Sequence, residues 1–245
     1  MTNFKCAVSA DLFFRANLGR SDEQTRYYLN GVYVMPHKDG GAMMIGTNGH
    51  WLIAVRDPRG IVEGSAIVSL NKRMVMDLKA GSKDHRGGFG YKTERVLVVG
   101  ADAAMIVLSG TAHKTLDDEF VEPRPTTLEL LEKPDRNVVS AQFADFIIDG
   151  TYPDWTRVIP TDADASRPLP NVDQRYVALA VKALTENKKG AVRFLPGPTE
   201  ADPITVVASD KVQGNWEAAA VIMPMRGSSK VEVPSFWSVS KESVA

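Results

Sequence analysis

Apolar and polar positions in this chain follow two different periods, and the change from one period to the other divides the sequence into cycles. In residues 4–9 every second position is apolar, which predicts a short strand. The apolar cluster that follows predicts a capped helix ending near Gly19. Residues 27–35 and 42–55 are rich in strand-forming residues and flank the turn sequence Lys38-Asp-Gly-Gly41, so they predict a hairpin.

The same order of elements returns twice. A strand over residues 65–70 precedes a helix over residues 72–79, with Asn71 as its cap, and a hairpin of residues 95–100 and 104–109 follows. Residues 138–149 predict a further strand. The third cycle has a helix over residues 171–184 and strands over 191–195, 203–209 and 218–225. Because strands outnumber helices in every cycle, the pattern predicts an α+β fold.

Breaks in this pattern suggest the domain organisation. Residues 110–137, which include the adjacent acids Asp117-Asp-Glu119 and also Pro123 and Pro125, interrupt the second cycle and are interpreted as an insertion. Residues 151–170 form a connector rich in Pro and Asp. We therefore expect a domain over residues 1–160, a second and shortened domain over 161–226, and a flexible C-terminal tail over 227–245.

Composition limits the possible functions. The 245 residues suit two domains, and the formal net charge of −1 neither indicates nor excludes a nucleic-acid partner. Cys6 is the only cysteine, which excludes an intramolecular disulfide and a zinc site built from cysteines. With no signal segment and no apolar run long enough to cross a membrane, a cytoplasmic protein without cofactor or metal is expected.

Four short blocks combine apolar anchors with one or two polar groups, which suits a lined groove better than a reaction centre. They are Arg26-Tyr-Tyr-Leu-Asn-Gly31, Thr47-Asn-Gly-His-Trp-Leu52, Asp149-Gly-Thr-Tyr-Pro-Asp-Trp-Thr-Arg-Val-Ile-Pro160 and Val221-Ile-Met-Pro-Met-Arg226. In this order they resemble the bacterial sliding clamp, the β subunit of the replicative DNA polymerase. The resemblance covers residues 4–226.

The resemblance implies a fold of repeated β-α-β-β-β units, with sheets outside and helices facing a central hole in a homo-oligomeric ring. It also implies a non-enzymatic processivity factor that embraces duplex DNA and captures clamp-binding peptides of the polymerase and the clamp loader. The implied groove residues are Leu29, Thr47, Gly49, His50, Leu52, Pro153, Arg157, Val158, Tyr176, Val221, Ile222, Met223, Pro224, Met225 and Arg226. Trp51 stands where the family usually carries a basic residue, which implies a more apolar rim.

Contact with DNA requires cations gathered on one surface, and helices that face a hole provide such a surface. The cations on or beside the three predicted helices are Arg15, Arg20, Lys72, Arg73, Lys79, Arg175 and Lys182. A solvated helix face in any protein carries similar residues.

The sequence also leaves two alternatives to a processivity factor. A clamp-derived adaptor would keep the groove and compete for clamp partners without encircling DNA. A hydrolase would use His50 with a nearby carboxylate, although the chain has no nucleophile elbow. Gly-rich residues 86–90 lack the Lys-Ser/Thr of a phosphate loop. The tail carries Phe236 and Trp237, which could fold back into a groove.

Overall fold

The computed structural model describes residues 4–80, 94–109, 138–185, 190–208 and 216–226. The predicted insertion, the Gly-rich stretch over residues 86–90 and the C-terminal tail lie outside these residues. Helices and strands within them follow the three predicted cycles.

The first cycle comprises β1 (Cys6–Ser9), α1 (Ala10–Asn17), β2 (Val32–Pro36), β3 (Ala42–Thr47), β4 (Trp51–Asp57) and β5 (Ile61–Val62). The second comprises β6 (Ala66–Val68), α2 (Lys72–Ala80), β7 (Glu94–Val99), β8 (Ala104–Ser109), β9 (Val138–Gln142) and β10 (Ile147–Ile148). The third comprises α3 (Gln174–Leu184), β11 (Val192–Leu195), β12 (Ile204–Ala208) and β13 (Glu217–Ile222). Short 3-10 helices lie at Tyr27–Leu29 and Trp155–Val158.

Two predicted strands are divided in the structure. The apolar stretch over residues 42–55 forms both β3 and β4, because the Asn48 side chain accepts hydrogen bonds from the amides of His50 and Trp51 and reverses the chain. Gly49, in the left-handed region with φ of 88°, completes the turn. Residues 138–149 form β9 and β10, which belong to different sheets. In contrast, Asn71 caps α2 as predicted, accepting a hydrogen bond from the Met74 amide at 3.0 Å.

The opening strand of each of the first two cycles pairs with a strand of the other cycle. The five-stranded sheet has the order β5-β1-β7-β8-β9, and the eight-stranded sheet has the order β10-β6-β2-β3-β4-β13-β12-β11. Thus β1 of the first cycle pairs with β7 of the second, and β6 of the second pairs with β2 of the first. All of these pairings are antiparallel, which makes the fold α+β as predicted.

The third cycle joins the first through one strand pair. β13 runs antiparallel to β4 over six residue pairs, from Glu217 opposite Arg56 to Ile222 opposite Trp51. The core continues across this junction, since Trp51 and Ile53 share one cluster with Ala180 and Leu184 of α3. One sheet therefore contains strands from both sides of residue 160, and a domain division at that residue stays a prediction.

Helix α1 lies between the other two helices and against the eight-stranded sheet. It contacts α2, α3, β3 and β4. The close approach to β3 requires glycine, because a Cβ atom on Gly46 would collide with the main-chain oxygen of Ala16. α3 packs on β4, β12 and β13 of this sheet, whereas α2 packs on β8 and β9 of the five-stranded sheet, so the helical layer extends over both sheets.

Arg15 is buried in this layer, with 7% of its surface exposed, which argues against its predicted contact with DNA. Its guanidinium donates hydrogen bonds to the main-chain oxygens of Ala183 at 2.8 Å and Thr185 at 3.3 Å. It also pairs with Asp11 and lies over the ring of Trp216. The last carbonyls of a helix have no intrahelical hydrogen-bond donors, and the Arg15 guanidinium provides such donors at the C-terminal end of α3. Its position on the inner face of α1 leaves no charge for phosphate.

Replacing Arg15 by Ala is expected to lower the free energy of unfolding by about 2–3 kcal/mol, because buried carbonyls lose a charged donor. Arg73→Ala is the matched control: that side chain is 84% exposed, and its removal is expected to change stability by less than about 0.5 kcal/mol. Urea unfolding followed by circular dichroism measures both. Equal stability of the two variants would contradict the role given to Arg15.

Candidate functional site

Four segments that are distant in the sequence line one cavity of about 250 Å³. They belong to the four blocks of the sequence. The lining residues are Arg26, Tyr28, Leu29, Thr47, Gly49, Trp51, Leu52, Pro153, Asp154, Trp155, Val158, Val221 and Met223. Eight of these were predicted for the groove: Leu29, Thr47, Gly49, Leu52, Pro153, Val158, Val221 and Met223.

The floor of the cavity is apolar and well buried. Leu29, Leu52 and Val221 are almost fully buried in one cluster with Ile45 and Tyr152. The Tyr152 hydroxyl donates a hydrogen bond to the Ile45 main-chain oxygen at 3.2 Å. Burial raises the pKa of Tyr152 far above its ordinary value, so the hydroxyl stays a neutral donor. Side chains alternate along β4 and β13, and this cluster lies on the sheet face opposite the helices.

The turn between β3 and β4 forms one side of the mouth. The Thr47 hydroxyl donates to the Trp51 main-chain oxygen at 2.7 Å and accepts from the Gly49 amide at 3.1 Å. Because Gly49 has no side chain, the Arg26 guanidinium can lie over it; a Cβ there would be 2.6 Å from the Arg26 Nη1. Arg26 also pairs with Glu23 at 3.2 Å, and 43% of its side chain is exposed. It places positive charge at the mouth.

The opposite wall is the 3-10 helix over Trp155–Val158. Asp154 caps this helix by accepting a hydrogen bond from the Thr156 amide at 3.2 Å. The cap orients Trp155 and Val158, both half-buried, toward the cavity. Arg157 is exposed and does not line it.

A stack of rings connects the mouth with α3. Tyr176 stacks on His50 with 6.0 Å between ring centroids and on Trp51 with 6.4 Å. The residues after β13 run between the turn and α3, since the Met223 amide donates to the His50 oxygen at 2.9 Å and the Met225 amide donates to the Asn171 oxygen at 2.8 Å. The Met-Pro-Met-Arg block therefore lies directly beside His50.

Several predicted groove residues lie outside the lining. Ile222 is fully buried in the core, because consecutive side chains of a strand point to opposite faces and Val221 takes the cavity side. Trp51, which was expected to make the rim more apolar, does line the cavity, but only 2% of its surface is exposed. The remaining predicted residues surround the mouth or point to solvent: His50, Arg157, Tyr176, Pro224, Met225 and Arg226.

Sequence reasoning missed four lining residues: Arg26, Tyr28, Asp154 and Trp155. All four stand inside the blocks that carried the resemblance. The signal that could have found them is a large aromatic or charged side chain in a turn, where no sheet or helix buries it.

Four of the predicted DNA contacts are exposed cations, and two of these pair with acids: Arg73 with Asp77 at 3.6 Å and Arg175 with Asp173 at 2.6 Å. Lys72 and Arg73 are exposed on the first turn of α2, and Arg175 and Lys182 are exposed on α3. Hydrogen bonds from Arg175 lower the pKa of Asp173. Arg20 donates to the Leu70 oxygen at 3.2 Å and pairs with Asp22 at 3.5 Å. Lys79 belongs to α2, but its side chain lies outside the described part of the chain.

The middle of the helical layer is not basic. The positions of α1 and its C-terminal end that reach solvent are Asp11, Phe14 and Leu18. The Lys182 ammonium lies 5.5 Å from the centre of the Phe14 ring, across the gap between α1 and α3. Exposed cations therefore flank α1 on both sides.

Within the described ranges, no group of three His, Cys, Asp or Glu side chains could hold a metal ion. The His50 ring, which could have acted as a general base, lies against Tyr176. None of the helices in the described residues is long and apolar enough to span a membrane.

No protein-family model matches the sequence, and no curated protein sequence matches it. Solved structures do match. A DnaN sliding clamp (DNA polymerase III subunit beta) from Bartonella birtlesii, bound to griselimycin, has a TM-score of 0.57 at 16% identity, with 93% of this chain and 67% of that chain covered. DNA polymerase III beta subunit from Thermotoga maritima has a TM-score of 0.56 at 10% identity, with coverages of 91% and 66%.

The Caulobacter crescentus pol III beta has a TM-score of 0.53 at 19% identity, with 91% of this chain and 66% of that chain covered. All three similarities extend over almost the whole chain, which spans about two thirds of the length of these clamps. The chain therefore has the sliding-clamp fold.

Proposed function

We propose that this protein is a sliding-clamp-like, non-enzymatic processivity factor that tethers a DNA polymerase through the cavity and embraces duplex DNA. The observation that carries the proposal is the convergence of four distant segments on one cavity, in a chain with the sliding-clamp fold. Tethering raises the local concentration of the partner at the DNA, so a weak peptide contact is sufficient.

The cavity favours a peptide over a whole small molecule. Its volume of about 250 Å³ lies below the range of about 300–1,000 Å³ that is usual for ligand pockets, and its walls are mostly aromatic and aliphatic. One or two apolar anchor side chains of an extended segment would fill it. Arg26 and Asp154 at the mouth would orient the peptide backbone and its polar side chains.

A binding role also agrees with the polar groups of the lining. Among the described lining residues, Thr47 carries the one hydroxyl that could act as an aliphatic nucleophile, and its proton is directed to the Trp51 oxygen. Catalysis by nucleophile and base requires the two groups within hydrogen-bond reach of each other. The hydrolase interpretation of His50 therefore receives no support.

Met223→Ala is expected to weaken binding of a clamp-binding peptide about tenfold, because truncating an apolar anchor costs about 1–2 kcal/mol. Met225→Ala is the matched control, since that side chain is 54% exposed and lies outside the lining. Isothermal titration of a synthetic peptide from a bacterial polymerase measures both affinities. Equal losses in the two variants, or none in either, would reject the cavity as the peptide site.

For DNA, we propose that the helical layer faces the duplex in a homo-oligomeric ring. Lys72 and Arg73 on α2 and Arg175 and Lys182 on α3 supply the exposed cations, and their contacts with phosphates would be independent of sequence. Arg15 is excluded from this surface by its burial.

An adaptor that binds clamp partners without encircling DNA is the second candidate. One observation favours it: the central helix α1 buries its arginine, and the residues through which it reaches solvent are the exposed Asp11 and the half-buried Phe14 and Leu18, which do not attract phosphate. The two candidates share the cavity and differ in the use of the helical layer.

Replacing Lys72 and Arg73 together by Ala is expected to weaken binding of duplex DNA equally for all sequences and to flatten the slope of log K against log salt by about 2, because two phosphate contacts are lost. Arg193→Ala is the control: Arg193 is exposed on β11, where Val192 and Phe194 point to the core. Fluorescence anisotropy at several salt concentrations gives the slopes.

The adaptor would be favoured over the ring by a monomeric mass in sedimentation together with no measurable affinity for duplex DNA. In either case peptide binding should be unaffected by the Lys72 and Arg73 substitutions, since the cavity lies on the opposite face of the sheet.

A further inference from the structure

The cavity suits a ligand that presents an aromatic or aliphatic side chain from an extended backbone. Tyr28, Trp155, Leu52 and Met223 present apolar surface to it, and Arg26 adds a positive charge at its mouth. A surface of this kind stays in contact with water unless something covers it. The question is which segment lies close enough to do so.

The described chain ends at the mouth of the cavity. Met223 lines the cavity, and the hydrogen bonds from the Met223 and Met225 amides hold the chain beside the turn and α3. Arg226, the next residue, is exposed. Whatever follows Arg226 therefore starts within a few residues of the cavity.

The sequence after Arg226 has the composition of a linker followed by a ligand. Gly227-Ser228-Ser229 is typical of linkers. The next residues, Val231-Glu-Val-Pro-Ser-Phe-Trp-Ser-Val239, mix apolar and polar residues around a proline that favours extended backbone. Phe236 and Trp237 offer aromatic anchors, and Glu232 offers a carboxylate for Arg26.

The distance is short enough for this segment to reach the cavity. Phe236 follows Arg226 by ten residues, which span up to about 35 Å when extended and about 17 Å on average as a random coil. A linker of this length holds its ligand at an effective concentration of about 1 mM.

We propose that residues 231–239 of this chain occupy its own cavity, with Phe236 or Trp237 as the anchor, and so compete with partner peptides. The inference rests on the proposed function, because it regulates the same site. It assigns the tail the role of an internal competitor that a tighter partner displaces.

The test uses a fluorescein-labelled synthetic peptide with the sequence of residues 229–240, titrated against full-length chains. Wild-type protein is compared with the Phe236→Ala, Trp237→Ala double variant. The peptide is expected to bind the double variant about tenfold more tightly, because a competitor at about 1 mM with an intrinsic Kd of about 0.1 mM has been removed. Ser238→Ala with Ser240→Ala is the matched tail variant and should behave as wild type.

A third chain, the Phe236→Ala, Trp237→Ala variant with Trp155→Ala added, assigns the binding to the cavity and should lose the peptide. Equal affinity of wild type and the double variant would overturn the proposal. The proposal would also be overturned if the labelled peptide bound equally well after Trp155→Ala. It would be overturned too if the difference between wild type and the double variant grew with protein concentration, because the tail would then occupy the cavity of a second copy.

Repeating the titrations with a clamp-binding peptide of a polymerase separates this inference from the proposed function. If the tail peptide binds and the polymerase peptide does not, the proposed polymerase partner is rejected, while the proposal of an internal competitor is retained. If the polymerase peptide binds wild type and the double variant with the same affinity and the tail peptide does not bind, the internal competitor is rejected, while the proposed partner is retained.

Discussion

The pairing of β13 with β4 is the interaction on which the rest of this structure depends. Six residue pairs join the third cycle to the first, and they place Val221 and Met223 beside Leu52 and the Thr47–Trp51 turn. The same pairing puts α3 next to α1, where Arg15 can reach the last carbonyls of α3. Without it, the cavity would lose one wall and the helical layer would lose its third member.

The two faces of the sheet have separate roles because strand side chains alternate. On β4 and β13, Ile53 and Ile222 point toward the helices, while Leu52 and Val221 point to the cavity. A ligand in the cavity would thus touch side chains of β4 and β13, whereas a polyanion on the helical layer would touch helix side chains on the other side of the sheet. Under the proposed function, this separation would let a partner stay bound in the cavity while the helical layer faces DNA.

The order of elements and the segments of the cavity could be predicted from the sequence, but individual side-chain directions could not. Asn71 was recognisable as a cap, and the Thr47, Pro153 and Val221 blocks as parts of one site. The residue types over 42–55 form one β-rich stretch and do not show where β3 ends and β4 begins. Ile222 and Arg15 were misplaced because burial of a single side chain depends on partners from other cycles, which local pattern does not contain.

Hydrogen–deuterium exchange of the full-length chain, with and without a clamp-binding peptide, tests the composite cavity most directly. The account predicts simultaneous added protection in residues 26–29, 47–52, 153–158 and 221–223, with no change in β1 or β7 of the other sheet. Protection confined to one of these segments, or found only in the helical layer, would contradict a single site built from four parts of the chain.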